Sequence, residues 1–522
     1  MTRTIQAAPR FGLTKRLNGR EMRMWTSRQM YGLLAIGGLA FIFRAALVLW
    51  LAAAGDMPYT YEHGVIAENL LAGNGFSIRF LGVEGPTSQQ GPLYPAALAG
   101  LYAVFGVGSQ AATVAMQLLQ CCAGTLLVVA LAHLVWSLVP SRPAAGWLAA
   151  LGAAIFPTHV YVVTHIQVVV WVAMTLVVLL AVVAARNGNH WRIRALVAGV
   201  LAGVLVLTEP IMVPAVAVAA LLLFVVQRHQ YPQSTFHRGW ASVAVMTFAA
   251  VMVVAPWIIR NRVVHGEWVF VKSSFGYAFW QGNNPMSWGT DKLPNQLASR
   301  LRPSHDGTLV SRHQALRAAR LETRYMDDVV LAAEGYEQFE GLTEPQRSRL
   351  LAERAYRFIT KEPVRYASLC WRRLRYFMLF DDTNPKTSDP IYRVATVTWL
   401  VLATVGFLAT AGQWRRLWPT YVIFAVVTLF HALTITSVRF RIAIEPLSFV
   451  WIAVALEPLL IHVRRPPRWI AHLLTEKDQP RTASHPRLAG PHFLRGNHDG
   501  RPTTTTDSTT VENRRHDATG HP

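Results

Sequence analysis

Long apolar runs recur along this chain. Met30 to Ala54, Gln110 to Leu138, Ala144 to Val163, Ile166 to Ala185, Ala195 to Leu207, Ile211 to Val226 and Trp240 to Ile259 precede a long polar stretch. Val394 to Ala411, Leu417 to Thr434 and Ile442 to Val463 follow it. A bilayer core is about 30 Å thick and takes roughly 20 apolar residues as a helix. Because hydrocarbon offers no partner to backbone N–H and C=O groups, such runs are expected as helices rather than irregular chain. Hydrophobic residues make up 52% of the 522 and charged residues only 15%, with a mean hydropathy of +0.27, which a soluble multidomain protein would not show. The expected class is an all-α polytopic membrane protein.

A formal net charge of +21 could point to nucleic acid. Here, however, the Arg and Lys residues lie in short links and tails between apolar runs, the pattern of positive-inside orientation, so no nucleic-acid partner is expected. Cys121 and Cys122 fall inside an apolar run and Cys370 stands alone, which gives neither a disulfide framework nor metal-ligand spacing. Walker, Rossmann and HExxH motifs are absent, and there is no internal repeat.

The organisation follows from these runs. Residues 1–29 form a basic, cytoplasmic N-terminus without a small-residue cleavage site. Residues 30–259 form a transmembrane module with a first outer loop at 55–91. Residues 260–392 are a hydrophilic insertion, placed outside and helical by pattern over Gln346 to Phe380. Residues 393–463 complete the spans, and 464–522, rich in Pro, His, Arg and Thr, read as a disordered cytoplasmic tail. The basic links at Arg142, Arg186 to Arg194, Arg228 to Arg238, Arg415 to Arg416 and Arg464 to Arg468 all fall on one side if Pro92 to Phe105, short and opening Pro-Leu-Tyr-Pro, does not cross. That gives about ten crossings; other counts reach 11 or 12.

The first loop carries the chemistry. It reads Gly55-Asp56-Met57-Pro58-Tyr59-Thr60-Tyr61-Glu62-His63-Gly64-Val65-Ile66-Ala67-Glu68-Asn69, followed by Gly73-Asn74-Gly75-Phe76, Gly85-Pro86-Thr87 and Gly91-Pro92-Leu93-Tyr94-Pro95. Carboxylates just outside a spanning helix are where an enzyme acting on a lipid-linked polar substrate needs them. With Ala255-Pro256-Trp257, Trp280-Gln281-Gly282-Asn283-Asn284-Pro285 and Arg439-Phe440-Arg441-Ile442-Ala443-Ile444-Glu445-Pro446, the loop resembles the GT-C membrane glycosyltransferases, in particular the protein mannosyltransferase and aminoarabinose transferase group, over residues 30–462.

The resemblance implies a GT-C-like bundle of about 10–12 transmembrane helices in the inner or plasma membrane, its site facing the extracytoplasmic side. It also implies inverting transfer of a hexose or pentose from a polyprenyl-phosphate-linked donor to a protein, lipid or cell-wall glycan. Such chemistry needs a carboxylate base for the acceptor hydroxyl and cations or hydrogen-bond donors for the departing phosphate, with no nucleotide. Tyr59 stands where the family carries its usual Asp, so the base is Glu62 or Asp56.

Arg439, Arg441, Arg260, Asn261, Asn283 and Asn284 are candidates for binding donor phosphate or sugar; loop packing and helix termination are the plainer roles. Arg44, inside the first span, either snorkels to the interface or meets a phosphate or carboxylate. Glu209, next to Pro210, is a candidate substrate contact. His63 could assist Glu62 or be structural. Asp56, Glu62, Glu84 and the histidines could assemble a divalent metal site, although no spacing demands one, and no cofactor is otherwise implied. A lipid-linked sugar flippase is the alternative reading, but transporters show repeated halves and midplane polar residues, whereas here polar residues gather at one end of the helices.

Overall fold

The computed structural model describes residues 27–186, 190–230, 235–294 and 307–464. Most of the basic N-terminus, and the tail expected to be disordered, lie outside the described residues. The first span is α1 (Ser27–Ala53), and the first loop folds as α2 (Tyr61–Leu71) and a hairpin of β1 (Ser77–Phe80) and β2 (Val83–Pro86). Then follow α3 (Leu93–Phe105), α4 (Gln110–Leu138), α5 (Pro143–Ile155), α6 (Pro157–Tyr161), α7 (Val169–Ala184), α8 (Trp191–Thr208), α9 (Val213–Gln230) and α10 (Thr235–His265). The insertion holds α11 (Phe275–Gly282), α12 (Leu309–Leu321), α13 (Met326–Glu334), α14 (Glu344–Lys361) and α15 (Pro363–Met378). The chain returns to the bundle with α16 (Pro390–Ala409), α17 (Trp414–Leu433), α18 (Val438–Ile444) and α19 (Pro446–Arg464).

The protein is an all-α polytopic membrane protein. Seven helices are long and apolar enough to cross a bilayer, and α5–α6 and α18–α19 qualify as two further spans, each bent by 54°. Thirteen-residue α3 rises only about 20 Å, short of a bilayer core. Sixteen-residue α7, at about 24 Å, would make a tenth crossing only with local thinning. Leu34, Phe248, Val263 and Leu408 remain exposed on the outer faces of spanning helices, where lipid rather than protein would cover them.

Proline explains both bends. Pro157 has no N–H for the carbonyl of Ala153, one turn earlier. Arg44, almost fully buried on α1, supplies the missing donors: Nη2 to the Ala153 carbonyl at 2.9 Å and Nη1 to those of Ala154 at 3.1 Å and Ala40 at 2.9 Å. This corrects both expectations for Arg44. It neither snorkels nor meets an acid, because the broken helix already offers its guanidinium three acceptors. Gly124 on α4 leaves it room, since an added Cβ would lie 2.9 Å from Arg44 Nε. At the second bend, before Pro446, buried Arg441 pairs with Glu445 at 3.1 Å and donates to the carbonyls of Phe377 and Met378 at the end of α15.

The loop and the insertion share a core of their own. Ile66 of α2 and Ile78 and Phe80 of β1 pack with Phe279, Trp280, Met326, Leu331 and Leu351. The expected helix over Gln346 to Phe380 is α14 and α15. The first of these opens on a capping box, in which Thr343 and Gln346 exchange side-chain and backbone hydrogen bonds.

Replacing Arg44 with Met keeps the volume and removes the donors, leaving two carbonyls unpaired at the break. At roughly 1–3 kcal/mol for an unsatisfied buried group, we expect a loss of about 2–4 kcal/mol, read as a lower unfolding temperature in detergent. An unchanged midpoint would contradict the role assigned to Arg44.

Candidate functional site

Two cavities meet where α2, the insertion and the bent helices converge. The larger, of 850 Å³, is lined by Tyr61, Glu62 and His63 of α2, Gln89 and Gln90, Glu209, Lys272, Tyr277, Gln281, Asp291, Tyr325, Asp327, Asp328 and Arg439 among others. The smaller, of 460 Å³, has an apolar wall of Phe43, Leu47 and Leu51 from α1, Ile155 and Val160 from the α5–α6 bend, and Ile391 and Ile442. Its polar end holds Lys292, Arg312, Arg320, Lys386 and Asp389. Gln167, Arg320 and Arg439 line both cavities.

Local backbone explains how Glu62 comes to face the larger cavity. Tyr61, with φ of 50°, enters the left-handed region that bulky residues avoid, and this turns the chain sharply into α2. Gly64 permits the turn, because a Cβ there would lie 2.0 Å from Thr60 Oγ1. Downstream, the Gly91-Pro92 step is fixed by close approach, with the position of a Cβ on Gly91 only 1.9 Å from the Leu207 carbonyl at the end of α8.

Glu62 is half-buried, and among the described residues nothing hydrogen-bonds to or pairs with its carboxylate. It shares its wall with Tyr277, whose buried hydroxyl is pushed well above its ordinary pKa by desolvation and by Asp327. Burial raises the carboxyl of Asp327 above the usual range, and neighbouring Asp328 adds to this against the hydrogen bond from Tyr277. A short bridge between Lys292 and Tyr325 aligns Asp291 beside this group. Burial would raise Asp291, but Lys292 Nζ at 2.6 Å and the Arg439 charge outweigh it and hold it below the ordinary range. His63 is buried against Tyr94 at 4.8 Å between ring centres, its Nδ1 unpartnered and its pKa lowered by burial to about 3, so it is neutral.

Two cationic side chains line the same cavity. Arg320 lies 4.7 Å above the Tyr61 ring with its Nε unpartnered, and Arg439 is exposed beside Phe440. Neither has an acidic partner within ion-pair distance among the described residues, whereas Lys272 is paired with Glu209 at 2.9 Å.

Of the residues singled out from the sequence, Tyr59, Glu62, His63, Glu209 and Arg439 line a cavity, whereas Asp56, Arg260, Asn261, Asn283, Asn284, Arg44, Arg441 and Glu84 do not. Asp56 is enclosed by the insertion: its Oδ1 is 3.0 Å from His313 Nε2 and 2.5 Å from Arg317 Nε, and Arg317 Nη2 reaches Oδ2 at 2.8 Å. Arg260 clamps the first loop by donating to the carbonyls of Thr87 at 2.6 Å and Phe76 at 3.1 Å, stacked on Trp257. Asn261 accepts from Ser88 Oγ at 2.7 Å. Asn283 donates to the Thr434 carbonyl at 2.9 Å and accepts from buried Arg373, and Asn284 closes its own turn on Trp280. Arg44 and Arg441 satisfy helix breaks. Among the described residues no group of three His, Cys, Asp or Glu is arranged to hold a metal, and exposed Glu84 lies on the hairpin, away from either cavity.

The sequence reading missed Arg320, Lys386, Tyr277 and Asp327. One signal was available: His313, Arg317 and Arg320, spaced four and three apart in a polar helix, share one face. Lys386 and Tyr277 sit in segments with no motif.

No protein-family model and no curated protein sequence matches the chain. Among solved structures it is similar to the oligosaccharyltransferase of Archaeoglobus fulgidus tethered to an acceptor peptide with the NVT sequon, at 14% identity and a TM-score of 0.47, over 87% of this chain and 52% of that one. It is similar to the same organism's AglB with an inhibitory peptide and dolichol-phosphate, at 13% and 0.43, over 88% and 52%. It is also similar to ArnT from Cupriavidus metallidurans bound to undecaprenyl phosphate, at 14% and 0.36, over 83% and 78%. The chain thus spans about half the length of the archaeal enzyme. At these identities no residue of one is matched to a role in another.

The enclosure of Asp56 has a measurable consequence. Burial alone would raise its carboxyl, but the hydrogen bond from His313 and the Arg317 charge outweigh it and hold the pKa below the ordinary range. A carboxylate depressed in the folded state contributes stability above its unfolded pKa of about 3.9, and that contribution is lost as pH falls through the folded value. We expect Asp56→Asn to cost about 1–3 kcal/mol at neutral pH, and the gap to close only below about pH 4. A gap that persists unchanged to lower pH would contradict the ion-pair account.

Proposed function

We propose that the protein is a membrane glycosyltransferase that takes a polyprenyl-phosphate-linked sugar as donor, with Glu62 as general base. The observation that carries this reading is the sharing of Arg320 and Arg439 by the two cavities, one with an aliphatic wall and one that presents Glu62 and several amide, hydroxyl and imidazole groups. An amphiphilic donor matches that arrangement in three parts. Its prenyl chain suits the aliphatic wall of the smaller cavity. Its phosphate suits the two unpaired guanidinium groups at the junction, which can bind phosphate oxygens in pairs. Its sugar then falls in the larger cavity among Tyr61, Tyr277, Gln89, Gln281 and neutral His63, where side-chain amides, hydroxyls and an imidazole can meet sugar hydroxyls.

In the reaction so drawn, the acceptor hydroxyl attacks the anomeric carbon from the face opposite the phosphate, with inversion. Its proton passes to Glu62, whose carboxylate no protein group occupies. The C–O bond to phosphate breaks, and the electron pair departs with the lipid phosphate toward Arg320 and Arg439. Asp56 takes no part, because His313 and Arg317 already hold both its oxygens. Proposed with this is the orientation that puts the site on the extracytoplasmic face; sugar and acceptor are set by the contents of the larger cavity.

The test is transfer of labelled sugar by purified protein from a panel of polyprenyl-phosphate donors. Glu62→Gln should lower the transfer rate by about 10²–10⁴-fold while donor still binds. Arg439→Gln and Arg320→Gln should weaken donor binding. Wild-type transfer rates in Glu62→Gln would remove Glu62 from the role of base. Donor movement across vesicles without transfer to any acceptor would replace the enzyme by a flippase.

A further inference from the structure

The smaller cavity contains another basic side chain without an acidic partner, and its surroundings differ from those of Arg320 and Arg439. Lys386 lies on the turn Pro385–Ser388 that joins α15 to α16, and the part of its side chain not covered by protein lines the cavity. Its Nζ is 2.8 Å from Nε2 of His165 and 5.3 Å from the centre of the Tyr161 ring. His165 Nδ1 lies 3.0 Å from Thr164 Oγ1, so the imidazole can give its proton to Thr164 and accept from the amine.

No carboxylate pairs with Lys386. Arg317 and Arg320 face it from α12 and Lys292 from the loop before it, all three positive. None of the nearby acids pairs with Lys386: Asp56 is held by Arg317 and His313, Asp291 by Lys292 at 2.6 Å, Asp389 caps the first turn of α16 with Arg312 4.0 Å away, and buried Asp381, in the segment leading to the turn, accepts from Thr383. Arg439, on α18, completes the positive lining.

We infer that Lys386 is a phosphate-binding residue that enters the reaction as a neutral amine and takes up a proton as the leaving lipid phosphate acquires its second negative charge. This rests on the donor reading above. The donor is a phosphodiester with one negative charge, which Arg320 and Arg439 suffice to balance. Transfer turns it into a monoester whose second ionisation lies near pH 6, so at neutral pH the product is largely a dianion. The charges balance: the acceptor hydroxyl gives its proton to Glu62, which releases it to solvent, the phosphate gains one negative charge, and Lys386 takes one proton up from solvent to become an ammonium facing it, so that no proton or hydroxide is left over.

Desolvation and the neighbouring cations lower the Lys386 pKa to about 7, where a small change in local charge switches its state. Holding the amine neutral until then avoids a third unpaired cation in the empty cavity. It also favours the product-side charge distribution over that of the bound donor.

Isothermal titration of the full-length protein in detergent at pH 8, repeated in buffers of different ionisation enthalpy, counts the protons taken up. The probes are farnesyl monophosphate and its methyl diester. At pH 8 the monoester is already a dianion, and Lys386, its pKa lowered to about 7, is mostly neutral. Wild type should then take up close to one proton with the monoester and much less with the diester. Lys386→Met should abolish that uptake and weaken monoester binding about tenfold, with the diester affinity unchanged. Lys386→Arg should restore monoester affinity without proton uptake, which a merely structural lysine would not do.

Equal uptake for the two probes, or wild-type uptake in Lys386→Met, would overturn the inference and leave the donor reading intact. Failure of wild type to bind either probe would overturn both.

Discussion

A proline that bends a helix inside a membrane leaves a carbonyl without its donor, and in this protein an arginine takes the place of the missing N–H. Hydrocarbon offers no water to repair the loss, and at the Pro157 bend Arg44 reaches from α1 to the carbonyls of Ala153 and Ala154. Arg441 ties the bend before Pro446 to the end of α15, and Arg373 ties α15 to the ends of α11 and α17 through the carbonyls of Gly282 and Ala432. These three arginines are among the largest fully buried side chains of the described residues. A lysine could not reproduce them, since each guanidinium serves acceptors on more than one element at once.

The bends make the cavities. Bent by 54°, the two spans turn Ile155, Val160 and Ile442 into the wall of the smaller cavity and bring α18 with Arg439 to the junction. The insertion closes the other side. Its α12 is held by the contacts of Asp56 with His313 and Arg317, and its α14 by Glu344, which accepts from Thr87 Oγ1 at 2.5 Å and Ser88 N at 2.7 Å. The first-loop residues that resemble a catalytic motif thus divide. Some hold the loop to the insertion, and Glu62 is left free to face the cavity.

This division also explains what the sequence could and could not reveal. Span positions were legible because about 20 apolar residues leave few structural options, and the helices of the second half of the insertion were legible from periodicity. Arg260, Asn261, Asn283 and Asn284 were singled out for chemistry, yet each is taken up by backbone carbonyls or neighbouring polar groups, because polar residues beside helix ends are needed to satisfy chain that leaves a helix. A sequence does not distinguish an arginine that completes a broken helix from one that awaits a phosphate. The difference lies in partners more than 50 residues away: Arg44 finds Ala153 and Ala154, Arg441 finds Phe377, and Arg439, two positions from Arg441, finds neither acid nor carbonyl. Lys386 was illegible for the same reason, its character being set by His165 and by α12.

The cavities hold charges of both signs. The larger cavity is lined by Glu62, Asp327 and Asp328 with Tyr277 and also by Arg320 and Arg439, and Lys386 lines the smaller cavity. A reaction that moves a proton off one reactant and negative charge onto another is favoured by such a field, provided the proton leaves toward the carboxylates and the charge moves toward the cations. The reverse assignment, with a cationic group leaving toward Arg320, would work against every unpaired charge in the site. A protein that only carried a lipid-linked sugar across the membrane would need to hold the phosphate, which Arg320 and Arg439 could do. It would have no use for an unpaired carboxylate in the same cavity, and it is Glu62 that favours transfer as the reading.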